Sequence, residues 1–319
     1  MSTKTFAVKM PSGTRQEPAW WVDFLCGWSA GCIETCVLYP QSKLIFRQQL
    51  HGVPVKDAIR QMKKEGLGLL YRGLLPPLIM RTTSRSVMFG MYDTYKHLLG
   101  CPKDFHGIAL TPRHSLAAFL AGATEALLCP LERIQVLLQT SRYHSQFKNT
   151  MDAFIVVSKY GPKEFYRGYS LMVLRNGGSN ILWFALRDPV KEYLYTSSHD
   201  QLLKYTKFDT VVRTPMGNIN QKDILKIVSD FGAGGLLGAS VSTIFFPANV
   251  VKNRMQSTLG TEYQSPSTVF RIVWRERNRS LKELYRGVHL NFTRSVMTWG
   301  ITNMVYESLR GYFNQMYVI

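Results

Sequence analysis

Six stretches of the chain are long and largely apolar, running roughly over residues 20–38, 78–99, 115–129, 170–194, 224–246 and 290–313. Twenty residues of helix rise roughly 30 Å, the thickness of a bilayer's hydrocarbon core, so each stretch predicts a spanning helix. All six carry internal charges or many Gly and Ser residues. A helix with one lipid face and one wet or packed face reconciles the two properties. Between them lie short amphipathic stretches such as VKDAIRQMKKEG (Val55 to Gly66) and VFRIVWRERN (Val269 to Asn278), which predict surface helices. The pattern is long helix, short surface helix, long helix.

Self-similarity shows that this pattern is one module used three times. Tyr71-Arg72-Gly73, Tyr166-Arg167-Gly168 and Tyr285-Arg286-Gly287 each precede an acid by 20 residues from the glycine: Asp93, Asp188 and Glu307. A base follows each acid three residues later: Lys96, Lys191 and Arg310. Upstream of each tripeptide stands a proline with Gln nine residues on, in PQSKLIFRQQ (Pro40 to Gln49), PLERIQVLLQ (Pro130 to Gln139) and PANVVKNRMQ (Pro247 to Gln256). The proline-to-glycine intervals of 33, 38 and 40 residues vary only in the linking segment. The organisation reads as a polar N-terminal segment at 1–18, modules at 19–100, 112–195 and 224–314, and an inserted surface loop at 196–223. Small residues 13 and nine before each proline (Gly27 and Gly31, Ala117 and Ala121, Gly234 and Gly238) predict close helix approach, least permissively in the alanine copy.

Charge then narrows the partner. Lys and Arg number 39 against 21 Asp and Glu, a net +18, which suits nucleic acid, phospholipid headgroups or an acidic solute. The mean hydropathy of −0.09 does not by itself distinguish membrane from soluble chains. The loops inside the modules hold six, six and eight Lys and Arg, and those between modules three and six. By the positive-inside bias the intramodule loops face the inner compartment. The five cysteines have neither metal-ligand nor disulfide spacing and read as buried thiols. The N-terminal segment carries at most a weak transit-peptide signature, so targeting is expected to be internal.

Arg81, Arg175 and Arg294 lie 8, 7 and 7 residues after their module's glycine, at one depth near the middle of the span. A charge there costs several kcal/mol unless it faces an aqueous cavity, and Arg suits bidentate phosphate binding. Glu125 is a fourth charge at that level, either a counter-ion for an arginine or an acid facing a cationic group of the solute. Glu34 lies at a similar level on the first helix. Trp183, Trp299, Phe89 and Phe184 read as packing rather than stacking platforms.

The repeated motifs resemble the mitochondrial carrier family, whose signature is P-x-[DE]-x-x-[KR]-x-[RK] followed by a short matrix helix and an aromatic-basic-Gly turn. A second family signature, [FY]-[DE]-x-x-[RK], matches Tyr92-Asp93 to Lys96 and Tyr306-Glu307 to Arg310, with Arg187 replacing the aromatic in the middle copy. The stretches LIFRQQLHG, GATEALLCPLERIQVLLQ, RNGGSNILWFALRDPVKE and FFPANVVKNRMQS are most similar to the family's NAD-carrier subgroup. The resemblance implies an all-α membrane protein of six transmembrane helices in three pseudo-threefold-related pairs, with short matrix-side helices. It implies a multi-pass monomer of the mitochondrial inner membrane, in contact with cardiolipin and not with nucleic acid. NAD enters as transported solute and no cofactor or metal is expected; another anionic nucleotide, keto acid or amino acid is the alternative cargo.

Residue roles follow from the same resemblance. Solute contacts fall on Met80-Arg81, Arg175-Asn176 and Arg294-Ser295, with Glu125 facing the nicotinamide. The matrix gate is thinned: acid positions are Ser42, Glu132 and Asn249 and base positions Ile45, Gln135 and Lys252, leaving only Glu132–Lys252 able to pair. Gln49, Gln139 and Gln256 brace that gate from beneath. Asp93–Lys96, Asp188–Lys191 and Glu307–Arg310 form the cytoplasmic gate. Three outer pairs against one inner pair predict that the empty protein opens toward the matrix. An enzyme is disfavoured, since no nucleophile motif, paired-carboxylate site or glycine-rich phosphate loop is present.

Overall fold

The computed structural model describes residues 20–101, 111–205, 212–214, 217–219 and 234–317, so the expectations for 1–18 and 224–233 lie outside the described residues. The first module comprises α1 (Trp20–His51), α2 (Val55–Glu65), α3 (Leu67–Leu70) and α4 (Leu75–Leu98). The second comprises α5 (Pro112–Glu125), α6 (Cys129–Gln139), α7 (Thr150–Ser158) and α8 (Tyr169–Tyr205). The third comprises α9 (Gly234–Ile244), α10 (Phe246–Gln256), α11 (Pro266–Glu276), α12 (Leu281–Leu284) and α13 (Val288–Tyr317).

In modules two and three the signature proline stands in the first turn of a new helix just past a break. Proline lacks an N–H and its ring crowds the carbonyl four residues back, yet it is well placed in a new first turn. Accordingly α5 passes through a 3-10 turn at Ala126–Leu128 into α6, and α9 meets α10 at 60°. Pro40 stands inside the continuous α1. The three proline motifs themselves are therefore helical, where the sequence pattern ended each span near its proline. Most of the buried apolar side chains collect around these lower segments, in one cluster joining Ile45 to α10 and α11 and another joining α6 to α7.

The long helices pack as a ring in chain order. α1 meets α4, α4 meets α5, α5 meets α8, α8 meets α10, and α13 returns to α1. The step from α9 to α13 carries a hydrogen bond from Asn291 Nδ2 to Ser242 Oγ at 3.0 Å. The arginines of the YRG turns fasten the ring in a cycle. Arg72 of module one donates to the carbonyls of His144 (2.8 Å) and Phe147 in module two. Arg167 of module two donates to those of Thr261 (2.8 Å) and Glu262 in module three. Arg286 of module three donates to that of Gly52 (2.6 Å) in module one. The glycine beside each arginine has positive φ (82°, 83° and 97°), a region that L side chains rarely adopt, and so turns the guanidinium toward the next module.

On this side of the ring, Arg47 bonds the Glu65 carboxylate and Lys43 lies 3.7 Å from it. Burial alone would raise Glu65, but the hydrogen bond and charge of Arg47 hold it below the usual carboxylate value. Burial, reinforced by the nearby Arg72 and Lys43, holds His144 below its usual value although Glu65 pulls it up.

Several expectations change. Among the described residues one run, Pro112–Gln139, is long and apolar enough to cross a bilayer, or two if the bent α9–α10 pair is counted. The inserted segment is not simply a loop: α8 continues through Tyr205, and an antiparallel hairpin pairs Val212 with Ile219 and Thr214 with Gly217. The small-residue prediction is inverted. A Cβ at Gly27 or Gly31 would meet nothing within 4 Å, and Gly234 and Gly238 receive the Trp299 indole rather than a helix backbone. The close crossing occurs instead in the alanine copy, where Ala117 and Ala121 are fully buried and a Cβ on Gly122 would lie 2.5 Å from the Gly177 nitrogen on α8.

Gly122→Val is thus expected to cost about 1–3 kcal/mol or more, since backbone cannot step aside. Gly27→Val should be neutral. Thermal unfolding of the two purified variants in detergent compares them directly; equal melting temperatures would show that the α5–α8 crossing is not tight.

Candidate functional site

The bends bring α1, α6 and α10 together at one end of the ring and leave a polar cleft of about 200 Å³ just above the contact. Its lining includes Glu34, Glu132, Arg175, Asn249, Lys252 and Arg294. At its base Lys252 Nζ donates to Glu132 Oε1 at 2.5 Å, with both side chains largely buried. Arg175 lies beside this pair, its NH2 4.0 Å from the same carboxylate oxygen. Its NH1 donates to Asn249 Oδ1 at 3.0 Å and its Nε to Asn176 Oδ1 at 2.9 Å. Glu132 Oε2 is buried without a partner. Of the other signature positions, Ser42 bonds the Leu38 carbonyl of its own helix and Ile45 joins the apolar core.

Beneath the ion pair lies a layer of neutral polar bonds between modules. Gln139 Nε2 donates to Tyr39 Oη at 3.0 Å, and that hydroxyl donates to the Arg72 carbonyl at 2.6 Å. Gln256 Nε2 lies 3.6 Å from both Cys129 Sγ and Met172 Sδ. Two glutamines thus reach the residue preceding the proline of the previous module, Tyr39 and Cys129. In the third module that residue is Phe246, which offers no acceptor, and Gln49 instead accepts from Asn253 Nδ2 at 2.5 Å.

This conformer is closed at the end holding Glu132 and Lys252, the reverse of what counting ion pairs predicts. The count left out the neutral bonds, and it treated the outer pairs as bridges between helices. Asp93 instead pairs with Lys96 along its own helix at 2.7 Å, on an exposed surface. Such i,i+3 pairs contribute only a few tenths of a kcal/mol. Asp188 is exposed and Lys191 half-buried, and Arg310 lies over the Tyr306 ring at 6.0 Å. The Glu307 and Arg81 side chains lie outside the described residues.

The solute candidates separate in space. Arg175 and Arg294 line the cleft and Asn176 holds Arg175. Glu125, at the C-terminus of α5, is not among the cleft residues and accepts from the Ser84 hydroxyl of α4. Met80 is half-buried on α4 and is not among the cleft residues. Ser295 is turned into the α9–α13 seam, donating to the Asn291 carbonyl at 3.0 Å and lying 3.2 Å from Ser242 Oγ. Trp183 and Trp299 stack on each other at 5.8 Å and Phe184 on Tyr92 at 3.8 Å.

Sequence reasoning undervalued Glu34. Its carboxylate is completely buried, lines the cleft and accepts from Thr298 Oγ1 of α13 at 2.6 Å. An acid in the middle of an apolar span was the available signal. Asn249 was marked only as a departure from the signature acid, and Asn253 and Asn291 carried no signal beyond being polar in an apolar context, yet all three line the cleft.

A ring of helix pairs bent around a polar cleft, shut at one end by an ion pair between repeats, has the architecture of a solute carrier. The chain belongs to the mitochondrial carrier protein family, which it matches over residues 16–103, 110–198 and 224–317. It is 42% identical over 289 residues to the Homo sapiens mitochondrial nicotinamide adenine dinucleotide transporter SLC25A51, covering 90% of this chain and 88% of that one. It is 42% identical over 286 residues to the Homo sapiens transporter of the same description SLC25A52, with the same coverage. It is 41% identical over 286 residues to the Mus musculus SLC25A51, again covering 90% and 88%.

Removing one member of the buried pair strands the other. Glu132→Gln is expected to cost about 3–5 kcal/mol, with part recovered in the Glu132→Gln, Lys252→Met double variant. Unfolding of the purified proteins would measure both; a single variant as stable as the parent would mean the pair does not hold this end closed.

Proposed function

We propose that this protein carries nicotinamide adenine dinucleotide across the mitochondrial inner membrane by alternating access. The observation that carries the reading is the cleft itself: Arg175 and Arg294 face a polar space at the centre of a helical ring, directly above an interrepeat ion pair. The dinucleotide has an anionic pyrophosphate and a cationic nicotinamide; the cleft offers arginines for the first, and Glu125, on α5 outside the cleft lining, is assigned to the second on the family resemblance. The relatives described above are nicotinamide adenine dinucleotide transporters by name.

In this reading the ring spans the bilayer with six helices. Large apolar side chains on their outward faces support it, such as Trp28, Ile33 and Val37 on α1 and Met297 and Met304 on α13. The basic intramodule loops place α2, α7 and α11 on the matrix side, so the conformer described is the one open toward the intermembrane space. Solute enters from that side and meets Arg81, Arg175-Asn176 and Arg294 from three modules, with Ser295 in the α9–α13 seam and Met80 and Glu125 outside the cleft lining. Drawing the three modules inward exchanges the Glu132–Lys252 contact and the glutamine layer for pairing among Asp93, Lys96, Asp188, Lys191, Glu307 and Arg310. Binding offsets the cost of opening one gate only to the extent that the solute prefers the transition geometry.

Uptake of labelled NAD by proteoliposomes, against labelled keto acids, amino acids and mononucleotides, tests the cargo directly. Arg175→Ala and Glu125→Ala should each lower NAD uptake about tenfold or more, the loss of one charge-assisted hydrogen bond. Uptake of NAD no better than of the other solutes would refute the cargo, and unchanged uptake by both variants would refute the site.

A further inference from the structure

Asn249 occupies the place at which the carrier signature has an acid, and its side chain is engaged. Its Oδ1 accepts from Arg175 NH1 at 3.0 Å across the seam between α8 and α10. Asn176 accepts from Arg175 Nε at 2.9 Å, so two neutral amides from different helices hold one guanidinium. The nearest carboxylate, Glu132, stands 4.0 Å from Arg175 NH2 and has one oxygen committed to Lys252 at 2.5 Å. Arg175 remains about a quarter exposed to the cleft. Two neutral amides therefore orient it, and the one carboxylate within ion-pair range, Glu132, is shared with Lys252.

A carboxylate at position 249 would do the opposite. It would sit within hydrogen-bond range of Arg175 and form an ion pair that any anionic solute would have to break. Asn249 would also have no cationic gate partner of its own to satisfy, since the signature base position of module one is Ile45, buried in the apolar core. From this geometry we infer that Asn249 is a positioning and specificity-determining residue: with Asn176 it forms a neutral cradle that presents the Arg175 charge to an anionic solute. The cradle also links the solute to the gate, because the guanidinium that meets the anion bonds α10 directly, three residues from Lys252. The inference rests on the reading of the cleft as a solute site, and deepens it from a list of cations to the group that keeps one of them available.

The test compares wild type, Asn249→Asp, Asn249→Gln and Asn249→Ala in proteoliposomes, measuring KM and kcat for labelled NAD and the melting temperature of each purified protein without solute. Asn249→Asp should raise KM about tenfold or more, equivalent to one ion pair of about 1.4 kcal/mol, with a melting temperature at or above wild type. Asn249→Gln, which keeps a neutral acceptor, should stay within about threefold of wild type, and Asn249→Ala should lie between the two. A KM for Asn249→Asp within about twofold of wild type, in a protein that melts normally, would overturn the inference. Should Asn249→Asp fail to fold, Asn249→Ala decides: an unchanged KM overturns the inference and a raised one supports it. Absence of NAD transport by wild type would refute the cargo alone, and the same KM ratios would then be measured with whichever anion the wild type carries.

Discussion

Each YRG arginine donates to at least one backbone carbonyl of the following module, Arg167 and Arg286 also pairing with a glutamate of their own module, and the cycle closes when Arg286 reaches Gly52. A chain of three repeats has two open ends, and here the last repeat is fastened to the first by the same bond that joins the others. The carbonyls belong to turns just past the helical proline motifs, where the backbone has no helical partner of its own and must find a donor. Arg133 and Arg277 add to the same seams, donating to Thr258 at 2.5 Å and to Gln48 and Gln49 at 2.9 and 2.8 Å. Arginine suits the task because its planar fork can serve two carbonyls at once without losing its charge.

Above that collar the end of the ring is sealed. The seal proper is thin: one ion pair, Glu132–Lys252, over a layer of amide, phenol and thioether contacts. Neutral bonds of this kind each contribute modestly, so the layer separates at smaller cost than three buried ion pairs. The collar's bonds run to backbone and join each module to the next independently of that layer.

The cleft reflects the same division between symmetric and asymmetric positions. Arg175 is fixed by Asn176 and Asn249, whereas Glu34 is fixed on the opposite side by Thr298 at 2.6 Å. Charges of both signs thus face one polar space without cancelling each other completely, which suits a solute that is itself anionic in one part and cationic in another. A threefold-symmetric cavity could not discriminate the two ends of such a solute; the acid on α1 and the amide on α10 break the symmetry.

The threefold organisation, the helix pairs and the Glu132–Lys252 contact were legible in the sequence, because repeated spacing and a charge in an apolar span are one-dimensional signals. The family followed from the same motifs. Three things were decided only in the tertiary structure. Close helix approach fell at Ala121-Gly122 against Gly177 rather than at the glycine pairs, because it depends on which helix face a neighbour meets, and spacing does not record that. Ser295 was drawn into the α9–α13 seam and Glu34 to the cleft, since a few tens of degrees of rotation about a helix exchange packing for solvent. The closed inner end was set by Tyr39, Gln139, Gln49 and Asn253, neutral side chains whose bonds leave no mark on a count of charges. Periodicity fixes what a residue is and how deep it lies; only packing fixes the direction in which it points.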